Sequence, residues 1–529
     1  MKRREFIGNS GKALALGTVF PGMNLTAMNQ NSAIGALLAA NQGVNDNVLV
    51  IIQLNGGNDG LNTLIPLDQY TNLSNSRGNI LIPEAKVLKL NNTSKTGIHP
   101  SMTGIQSLFN DGKVNFVQSV GYKNQNFSHF RSTDIWLSGS ESNTVERTGW
   151  MGRFLDHEFP NYPDAYPSTE MPHPLGIQIG SLVSPGFMGP NSPMAVAIAN
   201  DRDFYNLIND SFPQEPNDNP IGKELNYIRD MIEKANKYNK VIKAAAAAVT
   251  QQATYPLRNS LGDQLKIVAR LIKGGLKTKI YYVSQGGYDT HAGQVDPLDT
   301  TKGTHADLLA SLSDAIFAFQ NDLKFLGIED KVLGMTFSEF GRRINSNGSV
   351  GTDHGSSLPM VFFGSQVQNG IIGTNPEIKA AITGADNLPM QYDFKSVYAS
   401  VLEQWFCLDP ATLKKILLND YQSLPIIKKS ACSTSSIEDY QKTLEQKRLH
   451  CYPNPFVDKV QMEIQSKGGH CILQIFDTEG RMIANVAEGN LPEGQHAFQW
   501  DSEFLPTGFY YCRFQNEDYQ NVFTLQKVR

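Results

Sequence analysis

Two hydrophobic patterns alternate along most of the chain. Val48 to Leu54, Val114 to Val120, the run after Lys279, Val332 to Phe337 and Met360 to Phe363 are short, continuous, and β-branched or aromatic. Such runs predict strands of a mostly parallel sheet with both faces covered. Between them, Met102 to Phe109, Ile221 to Ala253 and Ser260 to Lys273 carry apolar residues at helical spacing. Thr304 to Leu326 is the clearest, with Leu308, Leu309, Leu312, Ile316, Phe319 and Leu323 along one stripe. The alternation predicts an α/β core over residues 47–418, closed by an amphipathic helix within Asp393 to Cys407. From Asn419 the composition shifts to Lys, Ser, Thr, Glu and Gln, as in a linker, here over residues 419–450. Short alternating strands follow at Lys459 to Ile464, Ile472 to Phe476, His496 to Trp500, Gly508 to Phe514 and Val522 to Lys527, and predict an all-β sandwich over residues 451–529.

Residues 1–46 read as an export signal and leader. Basic residues in Met1 to Ile7 precede a weakly apolar stretch, Ala13 to Phe20, too short and too Gly-rich to span a bilayer as a permanent anchor. Arg3-Arg4 followed by Phe6 resembles a twin-arginine signal; a general secretory signal, or an uncleaved one, is the alternative. No other run is apolar enough to cross a membrane, so no transmembrane anchor is expected. With 46 Lys and Arg against 51 Asp and Glu, the formal charge is −5, and nothing points to a nucleic-acid partner. None of the five cysteines precedes Cys407; Cys471 and Cys512 can pair in an exported protein, and an odd total leaves at least one thiol free or intermolecular.

Polar residues able to bind a metal collect just past the strands. Asn55 to Asn62 delivers Asp59, the stretch GGYDTH delivers Asp289 and His291, and Val332 to Phe337 runs into Ser338 and Glu339, with Asp353-His354 following a loop. In open α/β sheets ligands gather at the carboxyl ends of strands, and oxygen and nitrogen ligands converging there build a metal site. A two-metal centre would hold its ions roughly 3.5–4 Å apart. Ser128 stands where a loop enters a helix, with His129 and Arg131 beside it. It reads as an N-cap, the commonest role of serine there, or as a nucleophile at an anion-favouring helix end. His305, in the first turn of its helix, is a weaker ligand candidate.

In order, the motifs GGNDGLNT, SHFRSTDIWLSG, GGYDTH, SEFGRR and GTDHG resemble those of the bacterial family of domain of unknown function 1501, over about Asn47 to Pro410. That family is grouped with the alkaline phosphatase and sulfatase superfamily, so the resemblance implies an alkaline-phosphatase-like sheet. It also implies Asp59 as the first-strand metal carboxylate, Ser128 as nucleophile, Asp289 as the Asp after the paired glycines and Asp353-His354 as the Asp-His pair. Three positions depart from the pattern. Gly293 stands where a His is expected four residues after the Asp, Glu339 takes the strand-end place of the Asp-His pair, and Ser356 replaces a further His found in related members. Either Glu339 replaces the Asp as ligand and His354 acts as the distant third histidine, or the loop folds back.

The activity so implied is hydrolysis of a phosphate or sulfate ester on a small molecule or polymer. Ser128 would attack in line between two divalent ions (Zn, Mn, Ca or Mg), with Arg131 or Arg342 pairing the non-bridging oxygens. The competing expectation is a surface binding protein with a degenerate centre on the same scaffold. The tail, through Tyr452 to Phe456, Asp477 to Arg481, Leu505 to Tyr510 and Lys527-Val528-Arg529, resembles the type A carboxy-terminal sorting domain of the type IX secretion system. That implies export machinery as a partner, and an extracellular or surface destination after passage through the periplasm.

Overall fold

The computed structural model describes residues 46–198, 238–428 and 449–528, apart from 503, 517 and 518. The export signal, most of the expected linker and most of the helix expected from Ile221 lie outside these residues; residues 238–247 are helical. One compact unit spans Asn45–Cys432. Its principal elements are β1 (Val48–Leu54), α1 (Gly60–Thr63), α2 (Tyr70–Arg77), α3 (Thr103–Asn110), β2 (Val114–Gly121), α4 (His129–Ser138) and α5 (Trp150–Glu158). They continue as β3 (Gly176–Ile179), β4 (Ala195–Ile198), α6 (Ser260–Lys273), β5 (Ile280–Gln285), α7 (Thr304–Phe325) and β6 (Val332–Phe337). Then follow β7 (Gly341–Ser346), β8 (Thr352–Gly355), β9 (Leu358–Phe363), β10 (Gly370–Ile372), β11 (Tyr392–Asp393), α8 (Phe394–Gln404) and α9 (Pro410–Leu417).

The main sheet runs β10-β2-β9-β6-β1-β5-β3-β4, with β11 beside β2. Its pairs are parallel except those made by β9, which is antiparallel to β2 and β6. Every residue of β1 is buried, because alternate side chains enter two cores. Val48, Val50, Ile52 and Leu54 pack with residues of α3, α6 and α7, while Leu49 and Ile51 pack with residues of α4, α5, α8 and α9. α6 shows how the sequence writes such a helix. The Asn259 side chain accepts from Gly262 N at its start, and Leu261, Leu265, Val268, Leu271 and Ile272 form its buried face, each worth roughly 1.5–3 kcal/mol when fully buried.

Register then decides what meets at the sheet edge. Leu54 pairs with Gln285 and Gln53 with Phe337, so β1, β5 and β6 end together. β9, running the other way, begins at that edge, with Leu358 opposite Val120. The segment before it, expected as a loop, is the β7–β8 hairpin, in which Gly341 pairs with Gly355 and Arg342 with His354. The chain therefore folds back and returns Asp353 and His354 to the strand ends.

The tail has its own core and five antiparallel strands: β12 (Leu449–Tyr452), β13 (Lys459–Phe476), β14 (Met482–Asp501), β15 (Gly508–Asn516) and β16 (Tyr519–Lys527). Two strands expected separately, Lys459 to Ile464 and Ile472 to Phe476, are one, continuing through Gly468 and Gly469 at φ 90° and 92°. Phe456 N donates to Gln526 O at 2.9 Å and Val528 N to Phe456 O at 2.8 Å, so a single sheet wraps toward closure around Val460, Ile475, Trp500 and Phe514. Cys471 and Cys512 do not pair. Ile475, not Cys471, faces Cys512, which leaves the two cysteines four positions out of register, about 13 Å along the strand. Both are free, as is Cys451, whereas Cys407 is disulfide-bonded.

Candidate metal centre

The loops leaving β1, β5 and β6 touch because two residues of the first have no side chain. A Cβ on Gly56 would lie 2.2 Å from Asp289 N, and one on Gly57 would lie 2.4 Å from the Phe340 ring. Their φ values, 123° and 83°, also suit glycine. Buried Arg342 staples the loops, donating from Nε to Gly57 O at 2.7 Å and from Nη1 to Thr352 O at 2.8 Å. Its Nη2 donates to Gly56 O, to Tyr288 O at 3.1 Å and to Asp289 Oδ1 at 2.6 Å.

Three imidazoles then meet Asp289. His354 Nε2 lies 3.3 Å and His291 Nε2 3.2 Å from Asp289 Oδ1, while His129 Nε2 lies 3.5 Å from Oδ2. The Nε2 atoms of His291 and His354 are 2.9 Å apart. The far nitrogen of each ring faces an oxygen: His354 Nδ1 meets Phe127 O at 2.8 Å, His129 Nδ1 meets Glu339 Oε1 at 2.8 Å, and His291 Nδ1 meets Asp353 Oδ1 at 3.3 Å. Each Nδ1 thus faces an oxygen acceptor, and each Nε2 is turned toward the Asp289 carboxylate. Buried Phe340 holds two of the rings, its centroid 4.9 Å from that of His129 and 4.3 Å from that of His354.

The charges follow the same plan. Burial pulls the Asp289 carboxyl up, but the Arg342 hydrogen bond and charge outweigh it and hold it below the usual carboxylate range. The Asn347 amide, donating at 3.1 Å, helps keep Asp353 low. Burial also pushes His354 below the ordinary imidazole value, against the pull of the Phe127 carbonyl.

Other expected site residues have partners of their own. Asp59 is buried with both oxygens on Arg77 Nη1, at 3.0 and 2.8 Å, and takes a further bond of 2.6 Å from Gln294 Nε2. Burial raises its pKa, yet the Arg77 charge prevails and lowers it. It lies apart from the cluster, in which donors of His129, Asp289 and His354 are within 4.8 Å of one another and His291 adjoins the last two. Glu339 is buried behind His129, its Oε1 also accepting from Gly56 N at 2.8 Å, and Asp353 stands behind His291; each faces the Nδ1 of its histidine. Arg131 pairs with Asp134 and donates to Glu141 O, Ser142 O and Thr144 O, away from the cluster. Arg342 is fully engaged as the staple. His305 is buried with Nε2 on Asn58 Oδ1 at 2.9 Å. Ser128 is the N-cap residue of α4, exposed, and its side chain makes no capping hydrogen bond.

Over residues 46–417 the sequence matches the family described as protein of unknown function, DUF1501. The chain belongs to that family. Residues 450–527 match the secretion system C-terminal sorting domain, so this DUF1501 protein is carried outside the cell or to its surface. Among the described residues no helix is long and apolar enough to cross a membrane. No curated protein matches the sequence. Among solved structures, a sulfatase, PsFucS1 from Pseudoalteromonas sp., is similar with a TM-score of 0.36 and 9% identity, over 88% of this chain and 85% of its own. A protein in the alkaline phosphatase superfamily from Vibrio parahaemolyticus gives 0.29 and 9%, over 83% and 82%. The phosphonate monoester hydrolase SpPMH from Silicibacter pomeroyi gives 0.31 and 8%, over 91% and 88%. All three are distant, and the function of this DUF1501 protein has to be read from its own geometry.

Proposed function

We propose that this DUF1501 protein binds one divalent cation through His129, His291, His354 and Asp289, and hydrolyses phosphate or sulfate esters with Ser128 as nucleophile. The observation that carries this is that each Nδ1 faces an oxygen acceptor while all three Nε2 atoms approach the Asp289 carboxylate, so the Nε2 atoms and that carboxylate are the donors a cation would use. Without a cation, the 2.9 Å approach of two such nitrogens requires a second proton on one ring. The donor set fits the alternative. The separations of 2.9, 3.2 and 3.3 Å among His291 Nε2, His354 Nε2 and Asp289 Oδ1 are close to the edge of a tetrahedron around Zn²⁺, about 3.3 Å for bonds near 2.0 Å. Imidazole-rich donors favour Zn²⁺ over Ca²⁺ or Mg²⁺. The cation would supply positive charge that lowers the pKa of a hydroxyl and neutralises ester oxygens.

The chain's own residues supply the rest. Ser128 adjoins His129 at the start of α4, where Ser132 N donates to Ser128 O, and the N–H groups of the first turn favour an anion. Ser128 Oγ would bond to phosphorus or sulfur as the alcohol oxygen departs with a proton, and water would later release the anion. Glu339 keeps His129 in its tautomer and orientation.

A second reading, cation-dependent binding without turnover, is favoured by the arginines: Arg131 and Arg342 both use their donors internally and leave no guanidinium from this set for the ester. Turnover of 4-nitrophenyl phosphate and 4-nitrophenyl sulfate by the full chain with Zn²⁺ or Mn²⁺ separates the two. Cation-dependent turnover lost in Ser128→Ala supports the hydrolase. Retained cation with no Ser128-dependent turnover supports the binding protein.

A further inference from the structure

Ser128 and His129 are flanked in the chain by two phenylalanines that folding leaves in water. Phe127 is 38% exposed and Phe130 91% exposed. The rest of α4 behaves otherwise: Ile135, Trp136 and Leu137 are buried, and Arg131 ties the helix to the Glu141–Thr144 loop. Phe130 does not extend that apolar face, and removing its ring from water would be favourable. Phe127 is tied to the cluster through its carbonyl, which accepts from His354 Nδ1, and Phe130 directly follows His129 in the chain.

Resting on the ester reading above, we propose that Phe127 and Phe130 form the apolar side of the substrate site and select esters whose alcohol part carries an aromatic ring. An anion held at the start of α4 beside Ser128 has its organic part next to these residues. An aromatic ring can stack on them, whereas a small alkyl group covers little of their surface. The basis of choice is thus the group that leaves or remains, and not the anion itself.

The test measures binding of phenylphosphonate and methylphosphonate, which share an anion and contain no ester bond, to the Zn²⁺-loaded full chain by calorimetry. The proposal expects phenylphosphonate to bind about tenfold tighter, with the preference lost in Phe127→Ala/Phe130→Ala. Phe130 is too exposed for its loss to unfold the chain. Equal affinities in the unsubstituted protein, or a preference that survives in the double variant, would overturn this inference and leave the ester reading standing. If neither phosphonate binds to cation-loaded protein, the ester reading itself fails and this inference with it.

Discussion

His291 Nε2 and His354 Nε2 face each other at 2.9 Å, and each ring is anchored from behind by an oxygen, Asp353 Oδ1 for the first and Phe127 O for the second. The β7–β8 hairpin creates this meeting, because it carries Asp353 and His354 back to the loop that holds His291. In the proposed cation site Asp353 would act through His291. Replacing it, Asp353→Ala, is expected to weaken Zn²⁺ binding about 10–100-fold with little change in Tm. Competition with a chromogenic chelator measures this, and unchanged affinity would count against the outer role given to Asp353.

Asp59 and Arg77 are both buried and paired at 2.8 Å. Arg77→Met leaves a buried carboxylate with Gln294 as its remaining side-chain donor, and should cost about 3–5 kcal/mol in denaturant unfolding. Asp59→Asn should leave the cation content unchanged. Loss of the cation in Asp59→Asn at intact fold would return Asp59 to the ligand set.

Ser128 gives two readouts that a capping role would couple. Replacing a capping serine by alanine typically costs about 1 kcal/mol, but this side chain makes no capping bond. Ser128→Ala should therefore keep the Tm while abolishing ester turnover. A Tm several degrees lower would show that the hydroxyl caps α4 in solution.

A buried histidine pair contributes to the response to acid. His99 and His305 lie with ring centroids 6.1 Å apart, and burial pushes their pKa values down from 6.5 to about 3 and about 4. The unfolded chain takes up these protons near pH 6.5 and the folded chain does not, so their contribution to stability is present above that pH and lost as pH falls toward 4. At pH 5 each should favour unfolding by roughly 2 kcal/mol relative to pH 7.5. Unfolding midpoints across this range should fall steeply for the unsubstituted chain and less for His305→Gln; parallel curves would show that His305 does not titrate as described.

How legible these features were in the sequence depends on where their causes lie. β1, β5 and β6 are covered on both faces, so their runs are continuous and local. The gathering of Asp289, His291 and Glu339 at their ends follows from that pattern, whereas that of His354 depends on the hairpin. The fate of Asp59 does not, because its partner Arg77 is 18 residues away across two helices, and nothing local marks an arginine as buried. The hairpin around Asn347 read as a loop because its turn is polar. In the tail, β14 is mostly exposed along its length, so it carries little of the hydrophobic signal by which strands are recognised. Nothing local marks Phe340, Gln294 or Asn347, because the contacts of Phe340 with His129 and His354, of Gln294 with Asp59 and of Asn347 with Asp353 arise from the fold.

The most direct test of the central claim is elemental analysis of the purified full chain, beside Asp289→Ala and His354→Ala, after dialysis against Zn²⁺ and removal of excess. About one equivalent in the unsubstituted protein, lost in both variants while their far-ultraviolet circular dichroism is unchanged, is the predicted result. No bound cation in the folded, unsubstituted protein, or an equivalent that persists in both variants, would contradict the account.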